Sequence, residues 1–292
     1  MRSTIPAFNY YAPNSLREVL GLLGSLERAY PYAGGTDFLP SCRAKGFEPK
    51  NVVALKNLVG QLSYIRDGKG SIAIGALTTM REISHSTLIE KEAKNFAEAA
   101  AQVGAVQIRN KATLGGNLCN ASPAADTAPP LLTLDASVRI ASSEGLRTIS
   151  LTDFFLGPGK TALRKGEVLT EIRFKATKGY GSFRKIGRRQ GEDISVASAA
   201  VRFGVSGHKL KDVRVALGSV APVPMRAYRT ERMLEGSKAE EAIIEKAAIE
   251  AMHECKPITD VRSSEDYRRR MVLVLVRECL NEAKSRMEAE ES

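Results

Sequence analysis

Apolar side chains recur at helical spacing early in the chain, where Leu16, Val19, Leu20 and Leu23 follow Ser15 and Glu18, a pair placed as a capping box. A short apolar stretch over residues 30–33 precedes Gly34-Gly35, and a second over 51–55 reads as a strand. The opening segment is therefore strand, helix, strand, and this first unit is expected to end near residue 58. A hairpin is predicted next, with strands at 63–66 and 71–74 around Asp67-Gly68-Lys69-Gly70. Helical spacing follows over 79–103. Residues 107–130 then lose periodicity and are rich in Gly, Asn, Ala and Pro. A long irregular stretch inside a compact domain tends to be functional when it is too poor in charge to be disordered.

Strand-like runs at 137–141 and 168–174 close this second unit. Residues 181–186, 195–203 and 209–218 alternate as an antiparallel three-strand meander. After Pro222 and Pro224 the pattern turns helical over 226–234, 238–255 and 264–287, with Tyr267, Met271, Val274 and Leu275 as the apolar stripe of the last helix. A meander followed by a helical layer is α+β. The expected units are residues 1–58, 59–176 and 177–292.

The 292 residues are 43% hydrophobic and 26% charged, enough for two or three domains. The net charge of +10 is uneven: residues 161–225 hold 13 Lys and Arg against 5 Asp and Glu, whereas 226–292 hold 13 against 15. A basic centre suits a phosphate-bearing cofactor or an acidic partner subunit. Nucleic acid is disfavoured, because aromatics are few, Trp is absent and no nucleic-acid motif occupies the basic stretch. The most apolar run, 271–276, is far too short for a membrane span, and the first 15 residues lack a signal-peptide pattern. A cytoplasmic protein is expected. Cys42, Cys119, Cys255 and Cys279 are far apart without CxxC spacing, and His85, His208 and His253 are scattered, so no metal or iron–sulfur site is expected.

Two segments carry candidate chemistry: Tyr32-Ala33-Gly34-Gly35-Thr36-Asp37 and Thr113-Leu114-Gly115-Gly116-Asn117. Each sets a glycine pair where a loop enters a predicted helix. Glycine admits positive φ and close approach of a ligand, and successive N–H groups at a helix start form an anion site. One such loop suits a phosphate, and two converging loops suit a pyrophosphate. Tight turns are the plain alternative for either loop. No GxGxxG occurs. Gly157-Pro158-Gly159-Lys160-Thr161 ends like a P-loop, but Phe154 stands where its first glycine belongs.

AGGTD at 33–37 resembles the first FAD loop of the medium, flavin-carrying subunits of the molybdenum hydroxylase family, which includes carbon monoxide dehydrogenase and xanthine dehydrogenase. TLGGNLCNASPAADTAPPLLTLDA at 113–136, the opening 8–23 and SFRKIGRRQGEDISVASAAV at 182–201 are also similar to that family, in order and at matching separations. The resemblance implies a two-part FAD-binding domain of the vanillyl-alcohol-oxidase (PCMH) type, then a C-terminal three-stranded antiparallel sheet with a helix bundle. It implies that Pro31, Tyr32, Ala33, Gly34, Gly35, Thr36, Asp37 and Phe38 wrap the FAD pyrophosphate, with Thr113, Leu114, Gly115, Gly116 and Asn117 on its other side. Val103 matches an apolar cofactor contact, or else the core face of a helix with Phe96 and Ala100. Asp126 matches a carboxylate that hydrogen-bonds the cofactor, or else caps a helix. Leu169 and Lys185 match contacts near the isoalloxazine ring, although Arg184 could take the lysine's slot and a solvated basic face with Arg188 and Arg189 is the alternative.

In that family electrons pass from a large molybdopterin-binding subunit through a small 2Fe-2S subunit to FAD, and on to NAD, quinone or another acceptor. The resemblance assigns this chain the flavin step alone, with no catalytic acid–base pair and no metal. The cysteine-rich insertion of 4-hydroxybenzoyl-CoA reductase is missing, since Ser122-Pro123-Ala124-Ala125-Asp126 follows the second loop at once. A stand-alone flavin oxidoreductase and a non-enzymatic nucleotide-binding or assembly protein are the competing expectations.

Overall fold

The computed structural model describes residues 5–44, 47–189 and 192–291. The chain opens with β1 (Asn9–Tyr11), α1 (Leu16–Ser25), β2 (Ala29–Tyr32), α2 (Phe38–Arg43) and β3 (Asn51–Ala54). The three strands form a parallel sheet in the order β1-β3-β2. The central strand β3 is buried throughout, as parallel strands covered on both faces are. Ser15 Oγ accepts the Glu18 N–H at 3.2 Å, but the Glu18 carboxylate reaches back to the Asn14 N–H, so the expected box closes one residue early. Val19, Leu20 and Leu23 turn inward against Val53, Leu55 and Leu58, and Ala141 and Val168 of the next sheet complete that core.

After α3 (Val59–Leu62) come β4 (Ile65–Asp67) and β5 (Ser71–Gly75), the predicted hairpin, with Lys69 and Gly70 left-handed in its turn. The helical stretch 79–103 divides into α4 (Met80–Ser84), α5 (Thr87–Glu92) and α6 (Lys94–Ala101). Thr79 and Glu82 form a complete capping box at the first of these. The aperiodic 107–130 is not structureless. It holds most of α7 (Val106–Arg109), all of α8 (Leu114–Cys119) and the start of α9 (Ala128–Thr133), helices too short to show a period. Next come β6 (Ser137–Ser142), β7 (Gly145–Ser150), α10 (Leu151–Phe154), β8 (Phe155–Gly157), β9 (Lys160–Thr161) and β10 (Val168–Lys175). The second sheet runs β4-β5-β10-β6-β7 and is antiparallel. The near-P-loop is a two-stranded hairpin of β8 and β9, with Gly159 left-handed at its turn.

The last region has β11 (Tyr180–Ile186), β12 (Ala197–Ser206), β13 (Lys209–Gly218), β14 (Met225–Arg226), α11 (Tyr228–Leu234), α12 (Glu241–Glu254) and α13 (Glu265–Glu291). The three strands of the predicted meander pair in sequence order, and β14 adds a two-residue fourth strand against Ala216 and Leu217. The flanking prolines concealed it. The stripe of α13 lies one position from the expected one: Arg268, Val272, Leu275, Val276, Cys279, Leu280 and Ala283 are buried, while Tyr267 is exposed. A buried arginine at the head of the stripe hid its true phase.

Candidate functional site

Parallel pairing of β2 with β3 delivers the first glycine loop to the C-terminal end of the sheet, where the chain turns into α2. Pro31 and Tyr32 end the strand, Phe38 begins the helix, and Ala33, Gly34, Gly35, Thr36 and Asp37 join them. Gly35 is left-handed at φ +76°, the one site glycine in either loop that uses this freedom. Tyr32 and Phe38 meet edge to face at 5.4 Å, and Phe38 also packs on Phe8 and Phe47, so an aromatic cluster braces the loop. No acceptor among the described residues takes the N–H groups of residues 34–38, and Asp37 makes no side-chain cap. Five successive backbone donors are thus left without an acceptor among the described residues, an arrangement suited to an anion.

The second loop is built differently. Thr113 caps α8, accepting the Gly116 N–H at 3.1 Å. The Leu114 and Gly115 N–H groups donate to the Thr78 and Ala76 carbonyls at 2.9 and 2.8 Å. These donors are consumed by the fold, so this loop does not repeat the nest of the first. Its glycines serve close packing: a Cβ on Gly115 would lie 2.7 Å from the Ala76 Cβ. Thr113 is itself buried, and the partly exposed polar side chain of the segment is the Asn117 amide. Asn117 is oriented by its Oδ1, which accepts from Thr127 Oγ1 at 2.6 Å.

The two loops converge. A Cβ on Gly34 would lie 1.9 Å from the Lys111 carbonyl oxygen, so the backbones of residues 34 and 111 touch at a seam. From that seam a chain of contacts leads to the other expected residues. Asn117 holds Thr127, the neighbour of Asp126. Asp126 is buried and pairs through Oδ2 with Lys185 Nζ at 2.7 Å, while Ser195 Oγ donates to its Oδ1. Lys185 also donates to the carbonyls of Gln102 at 2.8 Å and Asp193 at 3.3 Å. Gln102 adjoins Val103, which is half-buried against the core and thus has both a packed and an open face. Arg109 pins the backbone there by donating to the Val103 and Gly104 carbonyls.

Two sequence alternatives are decided by these contacts. Asp126 does not cap a helix: α9 starts after Thr127, and the carboxylate binds Lys185 and Ser195 instead. Lys185 is not on a solvated basic face, since its side chain is only 12% exposed. Arg184, on the opposite face of β11, pairs with Glu282 of α13. Leu169 stands apart, its side chain buried in the core of the second sheet beside a register shift in β10. Ser195, Gln102 and Arg109 belong to the constellation but gave no sequence signal, because Ser195 reads as one polar position in an alternating strand.

Burial pushes the Asp126 carboxyl above its ordinary value, and Lys185 and Ser195 draw it back down. The pair keeps unspent lone pairs on the carboxylate for hydroxyl donors. Anion-binding N–H groups at one end and a buried carboxylate at the other fit a phosphate-bearing cofactor with a polyhydroxyl chain, which describes FAD. Among the described residues no group of three or more His, Cys, Asp or Glu could hold a metal, and no helix is long and apolar enough to cross a membrane. The four cysteines are free, and burial pushes the Cys119 and Cys279 thiols up to about 12.

Comparison with known proteins identifies the family. Residues 6–174 match the family described as the FAD binding domain in molybdopterin dehydrogenase, and residues 182–283 match the CO dehydrogenase flavoprotein C-terminal domain. The glyceraldehyde dehydrogenase medium chain of Sulfolobus acidocaldarius is 31% identical over 278 residues, covering 95% of this chain and 98% of that one. The carbon monoxide dehydrogenase medium chain of Hydrogenophaga pseudoflava is 32% identical over 284 residues, covering 96% and 98%. A solved structure of carbon monoxide dehydrogenase from Hydrogenophaga pseudoflava superposes with a TM-score of 0.93 at 31% identity, over 97% of this chain and 99% of that one. With both family regions matched in order along one chain, and relatives aligned nearly end to end, the protein belongs to the FAD-binding medium subunits of the molybdenum hydroxylase family, an oxidoreductase flavoprotein.

Proposed function

We propose that this chain relays electrons, holding FAD across the seam between its two glycine loops and passing to an external acceptor the electrons it receives from an iron–sulfur subunit. The observation that carries the reading is the run of N–H groups at residues 34–38 with no acceptor, set against Lys111. Those groups bind the pyrophosphate from one side. Thr113 and Asn117 approach from the other, and Gly115 and Gly116 let α8 come close enough for them to reach. Asp126, held by Lys185 and Ser195, accepts hydrogen bonds from the sugar-like hydroxyls, and Val103 covers an apolar face. Lys185 places positive charge at the ring end, where it favours a reduced, anionic cofactor. Leu169 supports the ring from the core side. Bound there, FAD supplies reversible uptake of one or two electrons; the protein orients and tunes it.

The partners in this reading are a large molybdopterin-binding subunit and a small 2Fe-2S subunit, in the cytoplasm, with NAD, a quinone or another compound as acceptor. The units at 1–58 and 59–176 carry the cofactor between them, and 177–292 closes the site through Lys185. Co-purification from the native host tests the reading. The chain is expected to elute with two further subunits, and a substrate of the large one is expected to bleach its flavin. Elution alone with turnover of a substrate would instead make it a stand-alone flavin enzyme.

A further inference from the structure

Arg268 lies on the apolar stripe of α13 and is only 2% exposed. An arginine there is costly, and an apolar side chain of similar volume would serve packing as well. Its Nε is buried without a partner among the described residues, so even this site does not satisfy it fully. Nη1 donates to the Val196 carbonyl at 2.6 Å and the Ser219 carbonyl at 2.9 Å, and Nη2 donates to Asp260 at 2.7 Å. Val196 leads into β12 and Ser219 follows β13. Each of these segments makes one hydrogen bond to the stretch that carries the cofactor carboxylate. Ser195 Oγ donates to Asp126, and the Ser219 N–H donates to the Pro123 carbonyl at 2.8 Å. Ser219 is held at φ +63°, a strained conformation for a non-glycine residue, kept where over-determined contacts fix it. The Val196 N–H donates to the Ile186 carbonyl at 2.7 Å, beside Lys185.

We propose that Arg268 is a positioning residue for the flavin site: by gripping Val196 and Ser219 together, it sets the places of Ser195 and Pro123 and hence the orientation of the Asp126 carboxylate. The inference rests on the cofactor site proposed above. It makes the C-terminal helix a determinant of how the FAD-binding region holds its ligand.

The test uses the full chain with Arg268→Met and, separately, Ser195→Ala. Asp260 stays paired with Arg262 at 2.6 Å, so Arg268→Met does not strand a buried carboxylate. Hydrogen exchange of residues 121–128 is measured without FAD, and flavin affinity and the shape of the flavin absorption band with it. Both variants are expected to exchange faster over 121–128, to bind FAD about tenfold more weakly and to show an altered band. Should Arg268→Met not fold, Arg268→Lys, which keeps the charge but not the two-pronged grip on Val196 and Ser219, is measured in its place, and an unchanged Ser195→Ala would overturn the route through Ser195. Unchanged exchange, affinity and band, with FAD bound normally by the unsubstituted chain, would overturn the role of Arg268 while leaving the cofactor site standing. Failure of the unsubstituted chain to take up FAD would overturn both.

Discussion

Gly34 has the closest approach of any glycine among the described residues, because any side chain there collides with the Lys111 carbonyl. Gly34→Ala should force the loops apart, costing about 1–3 kcal/mol of stability and reducing FAD affinity at least tenfold; a flavin titration beside a thermal melt measures both. The Asp126–Lys185 pair gives a second prediction. Lys185→Met leaves a buried carboxylate with Ser195 alone and should destabilise the fold by about 3–5 kcal/mol. The double variant with Asp126→Asn should recover much of that loss, and a double-mutant cycle in denaturant reads the coupling. Both members of the pair were legible as family positions, but not as partners. Their contact spans 59 residues of chain and depends on β11 being delivered beside α6, which no local pattern encodes. Ser195 and Arg268 were invisible for the same reason: a serine in a strand and an arginine in a helix announce nothing until their neighbours are known.

At the scale of elements, periodicity succeeded where an element is long enough and faces a core. The helix of Val19, Leu20 and Leu23 and the strands β12 and β13 were plain. It failed for β7, an edge strand whose Leu146 is 57% exposed, and for α7 and α8, which have four and six residues. The second glycine segment shows the limit best. Its sequence suggested a second anion nest, whereas its N–H groups are bound to Ala76 and Thr78 and its glycines are packing spacers. Two substitutions separate the packing and capping roles within this segment. Gly115→Ala should push α8 off the chain at Ala76, with a loss of about 1–3 kcal/mol, while Thr113→Val, which removes a cap, should cost about 1 kcal/mol. Chemical denaturation of the two variants distinguishes overpacking from lost capping.

For the whole molecule, partly buried arginine–carboxylate pairs contribute to the response to acid. Hydrogen bonding from Arg147 holds the Glu167 carboxyl below its ordinary value, and hydrogen bonds from Arg262 and then Arg268 do the same for Asp260. The unfolded chain titrates these groups at the usual carboxylate value of about 4, so it takes up protons at higher pH than the folded chain does. Their contribution is complete above about pH 5 and is lost as pH falls below about pH 4. The thermal midpoint should drop across that window, and Glu167→Gln should flatten part of the drop. Asp126 works in the opposite sense, since its raised value favours the protonated folded form as pH falls. The overall organisation, a flavin domain followed by a sheet and helix bundle, was legible because long sequence motifs identify a family where single glycine pairs cannot. Placement of FAD at the Gly34–Lys111 seam is decided by a flavin-fluorescence titration of the full chain, unsubstituted and as Gly34→Ala. Saturation at one FAD per chain is expected for the first and affinity at least tenfold weaker for a folded second; equal uptake by both, or none by the unsubstituted chain, would rule that placement out.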